Sequence, residues 1–147
     1  MSTLGTYLTH DHHACDDLFA AAENAVAAGD WPHAQQEFER FDAGMRRHFS
    51  MEEDVLFPAF EARTGMSGGP TFVMREEHRQ MNNLLAEMVA ALARRDSQAY
   101  LGQSETLLML MRQHNMKEEN ILYPMSDQAL ADRQSELLAA MEAVTAP

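Results

Sequence analysis

The chain has 147 residues, a length that suits one domain with its own hydrophobic core. Hydrophobic residues make up 46% of it and charged residues 23%, which excludes disordered and collagen-like compositions. The formal net charge of −12 opposes binding to nucleic acid or to anionic membrane surfaces, and the apolar runs are shorter than a membrane span requires.

Helix-forming residues dominate the chain, and strand-like alternation is scarce. Helix-breaking residues divide it at AAGDWP (27–32), RTGMSGGP (63–70) and RRDS (94–97). The pattern predicts helices near 6–28, 31–63, 70–94 and 97–127, and a short fifth helix near 131–144. Asp30 and Asp96 are predicted N-caps of the second and fourth helices. Because short connections place successive helices antiparallel, we expect an all-α, up-down-up-down four-helix bundle with a short C-terminal helix.

The chain contains an internal repeat with an offset of 66 residues. Residues 12–58 align without a gap on residues 78–124, so the predicted bundle consists of two similar helical hairpins related by an approximate two-fold axis. The segments HFSMEEDVLFP (48–58) and HNMKEENILYP (114–124) are closely similar. The aligned pairs are His12 with His78, His48 with His114, Glu52 with Glu118, Glu53 with Glu119 and Pro58 with Pro124.

Helical periodicity places four of these histidines and two of the glutamates on faces that point to the core. On helix one, the stripe is His12, Cys15, Phe19, Ala22 and Val26. On helix two, it is Phe38, Phe41, Met45, His48, Glu52, Val55 and Ala59. On helix four, it is Ser104, Leu107, Met111, His114, Glu118, Ile121 and Met125. His10, His13 and His33 fall off these stripes and are predicted at the surface.

Ionisable side chains on inward faces need compensation, because an isolated buried charge costs several kcal/mol. A buried network of hydrogen bonds is one interpretation. The repeated placement favours the other interpretation, a site for two metal ions, because imidazole and carboxylate suit iron or manganese and helix bundles hold paired ions. The predicted ligands are His12, His48, Glu52, His78, His114 and Glu118. With bridging carboxylates and an oxo or hydroxo bridge, about one coordination position on each metal remains open to a small molecule.

Cys15 is the single cysteine of the chain, which excludes an internal disulfide and suits a reducing compartment. The N-terminus lacks the basic and apolar regions of an export signal. We therefore expect a cytoplasmic protein whose residues 1–147 form one domain. Cys15 lies one helical turn from His12, but its repeat partner is Met81, so we expect it to fill the core.

Two further repeated pairs flank the predicted ligands. Glu53 and Glu119 are one step off the inward stripe, so we expect them at the surface or in hydrogen bonds to the ligands instead of on the metal. Pro58 and Pro124 each lie six residues after a predicted bridging glutamate. Because proline cannot donate a backbone hydrogen bond, each should kink its long helix and free a carbonyl one turn earlier.

The two motif copies, with the lone histidines of helices one and three, resemble the hemerythrin-like HHE cation-binding family over residues 12–124. The resemblance implies a non-haem di-iron centre in which His12, His48, His78 and His114 are terminal ligands and Glu52 and Glu118 are bridges. Oxygen-carrying members have His-x-x-x-His on helix three, whereas here Met74 precedes His78 by four positions. The symmetrical set is more similar to bacterial members associated with nitric oxide or peroxide stress, iron-centre repair or iron sensing.

Three functional hypotheses follow. The first is a di-iron protein that binds or reacts with a small ligand such as O2, NO or peroxide, in oxidative or nitrosative stress or in iron handling. The second is an iron- or oxygen-sensing module without turnover, and the third is a purely structural bundle. Manganese or zinc could occupy the same ligands, and the sequence assigns no catalytic residue.

Overall fold

A computed structural model describes residues 2–146 and contains helices and no strands in that part of the chain. The α-helices are α1 (Leu4–Ala27), α2 (Trp31–Met51), α3 (Phe57–Thr64), α4 (Pro70–Ala93), α5 (Ser97–Lys117), α6 (Tyr123–Ala129) and α7 (Gln134–Glu142). π-Helical turns at Glu52–Leu56 and Glu118–Leu122 join α2 to α3 and α5 to α6, and a 3-10 turn at Ala131–Arg133 precedes α7. The predicted all-α bundle with a short C-terminal helix is confirmed.

The predicted helix starts are confirmed at both N-caps. The Asp30 carboxylate accepts a hydrogen bond from the backbone N–H of His33 at 3.3 Å, and Asp96 accepts one from Ala99 at 3.0 Å. These bonds satisfy amides that have no partner within the first turn of a helix. Pro32 lies in the first turn of α2, where its missing N–H leaves no hydrogen bond unmade.

The long helices pack as two hairpins. Helix α1 packs mainly against α2 and α4 against α5, and contacts of α1 with α5 and of α2 with α4 close the bundle. The buried apolar side chains form two clusters, one that includes Phe38 and Leu85 and one that includes Leu8 and Phe60. Along each long helix the inward histidine lies between residues of the two clusters. Helix α7 covers the second cluster with Leu137.

A π-helical turn follows α2 and another follows α5, and each ends two residues before a proline, Pro58 or Pro124. The backbone N–H of Phe57 donates to the carbonyl of Glu52, and that of Tyr123 donates to Glu118, five residues back in each case. This wider turn adds one residue to the local helical repeat, and such turns often occur at functional sites. The helix distortion expected from Pro58 and Pro124 is therefore a π-helical turn, which begins at Glu52 in the first copy and at Glu118 in the second.

The π-helical turns change which side chains face the core after Glu52 and Glu118, so the burial there differs from the predicted stripes. Val55 and Met125 are only partly buried, and Ile121 is 53% exposed. Leu56 and Leu122, one position later than the predicted Val55 and Ile121, are 0% and 1% exposed. The extra residue in the wide turn rotates the following side chains by about 100°, so the stripe counted with α-helical spacing is wrong at Val55, Ile121 and Met125, although the predicted Ala59 is buried at 7% exposed.

Within residues 2–146, none of the helices combines the length and the apolar character that crossing a membrane requires. The predicted cytoplasmic location stays a prediction. The proposal of one domain over residues 1–147 also stays a prediction, and its first and last residues lie outside the described part.

Candidate metal centre

Six ionisable side chains meet in the core between the two apolar clusters. Each of the helices α1, α2, α4 and α5 contributes one histidine, and each π-helical turn contributes its first residue, a glutamate. Their exposed fractions are 4% for His12, 3% for His48, 0% for Glu52, 1% for His78, 2% for His114 and 0% for Glu118. The structure therefore brings together all six residues that the sequence predicts as ligands.

The six side chains form two groups that share both glutamates. One group is His12, His48, Glu52 and Glu118, and the other is Glu52, His78, His114 and Glu118. Within each group the potential ligand atoms all lie within 4.8 Å of one another. The two groups therefore offer two metal positions. Glu52 and Glu118 belong to both, as carboxylates that bridge two metal ions must.

The outer nitrogen of each histidine is hydrogen-bonded to a further carboxylate. The Nδ1 contacts are His12 to Glu119 at 2.7 Å, His48 to Asp11 at 2.8 Å, His78 to Glu53 at 2.6 Å and His114 to Glu77 at 2.8 Å. Such contacts fix the ring orientation and tautomer of metal-binding histidines. Glu53 and Glu119 therefore support the inward histidines, one of the two roles that their sequence positions predict.

The inner nitrogens face carboxylate oxygens. His12 Nε2 lies 3.1 Å from Glu118 Oε1, and His78 Nε2 lies 3.0 Å from Glu52 Oε1. When Nδ1 of a neutral ring donates to the outer carboxylate, Nε2 presents a lone pair. Two lone pairs at this distance repel each other, so a proton or a metal cation has to lie between the ring and the carboxylate.

Without a cation, the centre holds protons. Burial opposes the charged form of His48, but Glu52, Asp11 and Glu118 together outweigh burial and raise the pKa of His48 to about 10. Burial likewise opposes the charged form of His114, but Glu118, Glu77 and Glu52 together raise its pKa to about 9. Burial would raise the pKa of Glu52, but the charge of His48 and hydrogen bonds from His48 and His78 together lower it well below the usual range. Both histidines are therefore charged at neutral pH when no metal is bound.

Two buried atoms of the centre lack a hydrogen-bond partner. They are His114 Nε2 and Glu118 Oε2. His114 Nε2 lies 3.2 Å from Glu118 Oε1, but the geometry of this contact does not make a hydrogen bond. An unpaired polar atom in a dry interior is costly, and both atoms belong to residues whose donor types suit a borderline or hard cation. The residues present fit a metal pair.

The chain also matches the family model described as hemerythrin HHE cation binding domain, over residues 3–126. The chain belongs to this family. Comparison with curated proteins and with solved structures gives no significant match. Family membership and the two buried His/Glu groups together identify a metal-binding module. The assignment of the six individual ligands stays a prediction, as does the identity of the metal.

The sequence analysis assigned no role to Asp11 and Glu77, which contact His48 and His114, or to Tyr123, which lies inside the HHE centre. The Tyr123 hydroxyl lies 2.6 Å from Glu52 Oε2 and 3.0 Å from Glu118 Oε1, and its side chain is 1% exposed. Burial, then the carboxylates of Glu118 and Glu52, raise the pKa of Tyr123 well above its usual range, so in the absence of metal it donates as a phenol. The signal in the sequence is that Tyr123 aligns with Phe57, which has no hydroxyl.

A small, partly open cavity lies beside the HHE centre, on the side of the first apolar cluster. Its volume is about 10 Å³. It is lined by His12, Cys15, Met45, His48, Phe49, Met81, Met111, His114 and Asn115. Cys15 is 4% exposed and belongs to neither group of potential ligands, which agrees with its predicted role as core filling.

The remaining histidines lie outside the HHE centre. His10, His13 and His33 are exposed, as predicted, and are members of neither group. His10 and His13 instead line an open surface pocket of about 420 Å³. Tyr123 and Glu119 form part of the wall of the same pocket, so this pocket reaches from the outer surface to the side chains that surround the centre.

Proposed function

We propose that the chain is a non-haem di-iron protein whose centre binds or reacts with a small ligand such as O2, NO or peroxide. His12 and His48 hold one iron, His78 and His114 hold the other, and Glu52 and Glu118 bridge the two. The observation that carries the proposal is the sharing of the same two buried carboxylates by both groups of donors. Participation in oxidative or nitrosative stress or in iron handling belongs to the same proposal.

The charge of the centre supports cation binding over a purely structural network. Six carboxylates lie within hydrogen-bond distance of the four imidazoles, two between them and four around them. Lys117 pairs with Glu77, and Arg47 lies 3.9 Å from Asp11, so two of the outer carboxylates have cationic partners of their own. Glu52 and Glu118 face only the imidazoles and Tyr123, and a cation between them would use the atoms His114 Nε2 and Glu118 Oε2, which a purely structural network leaves without a partner.

The donor set supports iron as the metal. Imidazole and carboxylate bind first-row ions of borderline hardness, and paired iron ions occur in helix bundles on inward side chains of these types. Iron in this centre would supply open coordination positions and a change of one electron per ion. Zinc and manganese use the same donors, so metal analysis has to decide among the three.

The small cavity beside the centre supports a small ligand. About 10 Å³ is close to the smallest space that holds one water molecule. Its walls include three thioether side chains, Met45, Met81 and Met111, which are apolar and exclude further water. A diatomic molecule or a peroxide could enter this space after small side-chain movements.

The proposal is tested by Glu52→Gln and Glu118→Gln, with Glu105→Gln as the matched control on an exposed position of α5. The wild type and the control should bind about two irons per chain after anaerobic reconstitution with ferrous iron, and should change their absorption spectrum on oxidation and on reduction with dithionite. Each bridge variant should lose iron, because an amide is a poor bridge. A wild-type chain that stays metal-free, or bridge variants that keep both irons, would refute the proposal.

The second candidate is an iron- or oxygen-sensing module without turnover. It is favoured by the contacts that cross between the hairpins, since His12 of the first faces Glu118 of the second and His78 faces Glu52 in return. Metal bound between them would tie the hairpins together and stabilise the fold. This candidate predicts a large rise in melting temperature on iron binding without consumption of peroxide or nitric oxide. Sustained turnover of either would exclude it.

A further inference from the structure

The Tyr123 hydroxyl lies among the donor atoms of one metal position. Its oxygen is 2.6 Å from Glu52 Oε2, 3.0 Å from Glu118 Oε1, 3.2 Å from His12 Nε2 and 3.5 Å from His48 Nε2. These four residues are the complete first group of potential ligands. The phenol oxygen therefore contacts every member of that group, and it does so from inside a fully buried site.

These distances are those expected between neighbouring donors on one ion. Where metal–donor distances are about 2.1 Å, adjacent donors of an octahedron lie about 3 Å apart. A donor at one apex has four such neighbours, and Tyr123 has four, at 2.6–3.5 Å. A hydroxyl that only supported one carboxylate from outside would not need to be near both imidazoles as well.

The second metal position has no equivalent oxygen. Phe57 occupies the position that corresponds to Tyr123 in the repeat. Its ring lies 5.7 Å from the ring of His78, in a stacked arrangement, and Phe49 stacks on the same imidazole at 4.0 Å. The two-fold symmetry of the six predicted ligands is thus broken by one atom, the phenol oxygen.

We propose that Tyr123 Oη is a fifth protein donor to the metal ion held by His12 and His48. This inference rests on the proposed di-iron centre and adds a specific asymmetry to it. The metal beside Tyr123 has five protein donors, and the metal held by His78 and His114 has four. The external ligand accordingly binds to the second metal, which keeps the larger number of open positions. Metal binding displaces the proton of the phenol to solvent, as it does for other protonated donors.

The test compares Tyr123→Phe with Tyr100→Phe, which removes the hydroxyl of another buried tyrosine outside both ligand groups. Phenylalanine is already accommodated at the equivalent Phe57, so Tyr123→Phe should fold, and its melting curve checks this. The oxidised, iron-loaded wild type and Tyr100→Phe should show a phenolate-to-iron charge-transfer band and tyrosinate vibrations in resonance Raman spectra. Tyr123→Phe should lack both signals and release one of its two irons to a chelator about tenfold faster.

The possible outcomes separate this inference from the proposed function. If the wild type binds two irons but has the same visible and Raman spectra as Tyr123→Phe, the tyrosine is not a donor and the di-iron proposal stands. If the tyrosinate signals persist in Tyr123→Phe, another tyrosine is responsible and the inference is wrong. If the wild type takes up no metal pair, both the inference and the proposed function are wrong.

Discussion

Glu119 Oε2 lies 2.7 Å from His12 Nδ1 and connects the π-helical turn after α5 to helix α1. The contact recurs in the repeat, where Glu53 Oε2 lies 2.6 Å from His78 Nδ1. In each case the glutamate next to a proposed bridge orients a histidine of the other hairpin. The two adjacent glutamates of each motif copy therefore have different roles. The first, Glu52 or Glu118, lies in the centre, and the second, Glu53 or Glu119, orients a histidine of the centre through its outer nitrogen.

Glu119→Gln should weaken metal binding without abolishing it. The amide oxygen can still accept from His12 Nδ1, but the negative charge that makes the imidazole a stronger ligand is lost. Loss of such a partner costs roughly 10–100-fold in metal affinity, and Glu53→Gln should behave alike because of the repeat. Competition with a chromophoric chelator measures the effect. Glu105→Gln, on the exposed face of α5, serves as control, and an affinity for Glu119→Gln equal to that of the control would contradict the proposed support.

The stability of the metal-free protein should fall as the pH rises from about 7 to about 10. The pKa of His48 is raised to about 10 and that of His114 to about 9, from an ordinary value of 6.5. A raised folded-state pKa contributes stability that is fully present below the ordinary value and is lost as the pH passes through the folded value. Melting temperatures of the metal-free chain across this range measure the effect, and a rise over the window would contradict it.

Metal affinity should change in the opposite direction over the same pH range. Binding has to displace the protons of His48 and His114, so fewer protons compete as the pH approaches their raised pKa values. Zinc is a suitable probe because it has no redox chemistry and accepts the same donors. Titration calorimetry in buffers of different ionisation enthalpy should detect proton release below pH 9, and binding without proton release would be the contrary result.

Much of the centre could be predicted from the sequence, because two physical regularities coincide. Helical periodicity places His12, His48 and His114 on apolar faces, and the 66-residue repeat selects His12 over the neighbouring His10 and His13. Burying an unpaired ionisable group costs several kcal/mol, so six such groups placed by a repeat indicate one shared site that compensates all of them. The fold followed from the same helix lengths and short connections.

The parts that could not be predicted depend on departures from regular helix geometry and from exact repetition. Counting in steps of 3.6 residues assumes an unbroken α-helix, so it misplaced Ile121 once the π-helical turn added a residue. Tyr123 was missed because an apolar pattern treats tyrosine and phenylalanine as equivalent. The pairing of Glu119 with His12 joins residues from opposite ends of the chain, which no local pattern can report.

Enlarging the cavity at Met81 should speed the access of small ligands to the centre. Met81 lines the small cavity beside the centre, whereas Met88, two turns further along α4, is equally buried but lies outside the cavity wall. Truncating either buried methionine to alanine should cost about 2–5 kcal/mol of unfolding free energy. Only Met81→Ala should also increase the rate of nitric oxide or azide binding, measured by stopped-flow absorption on iron-loaded protein. Equal rates in the two variants would show that ligands do not approach through this cavity.

Cys15 should be chemically inert while the protein is folded. Burial, with smaller contributions from Asp11 and Asp16, raises the pKa of its thiol to about 12. At pH 8 only about one molecule in ten thousand then carries the reactive thiolate. Labelling with a thiol reagent such as Ellman's should be slow in the native protein and fast in denaturant, with Cys15→Ala as the blank. Cys15→Ala should also keep both irons and an unchanged spectrum, because Cys15 belongs to neither group of potential ligands. Rapid labelling of the native protein, or loss of an iron from Cys15→Ala, would instead show that the thiol takes part in the centre.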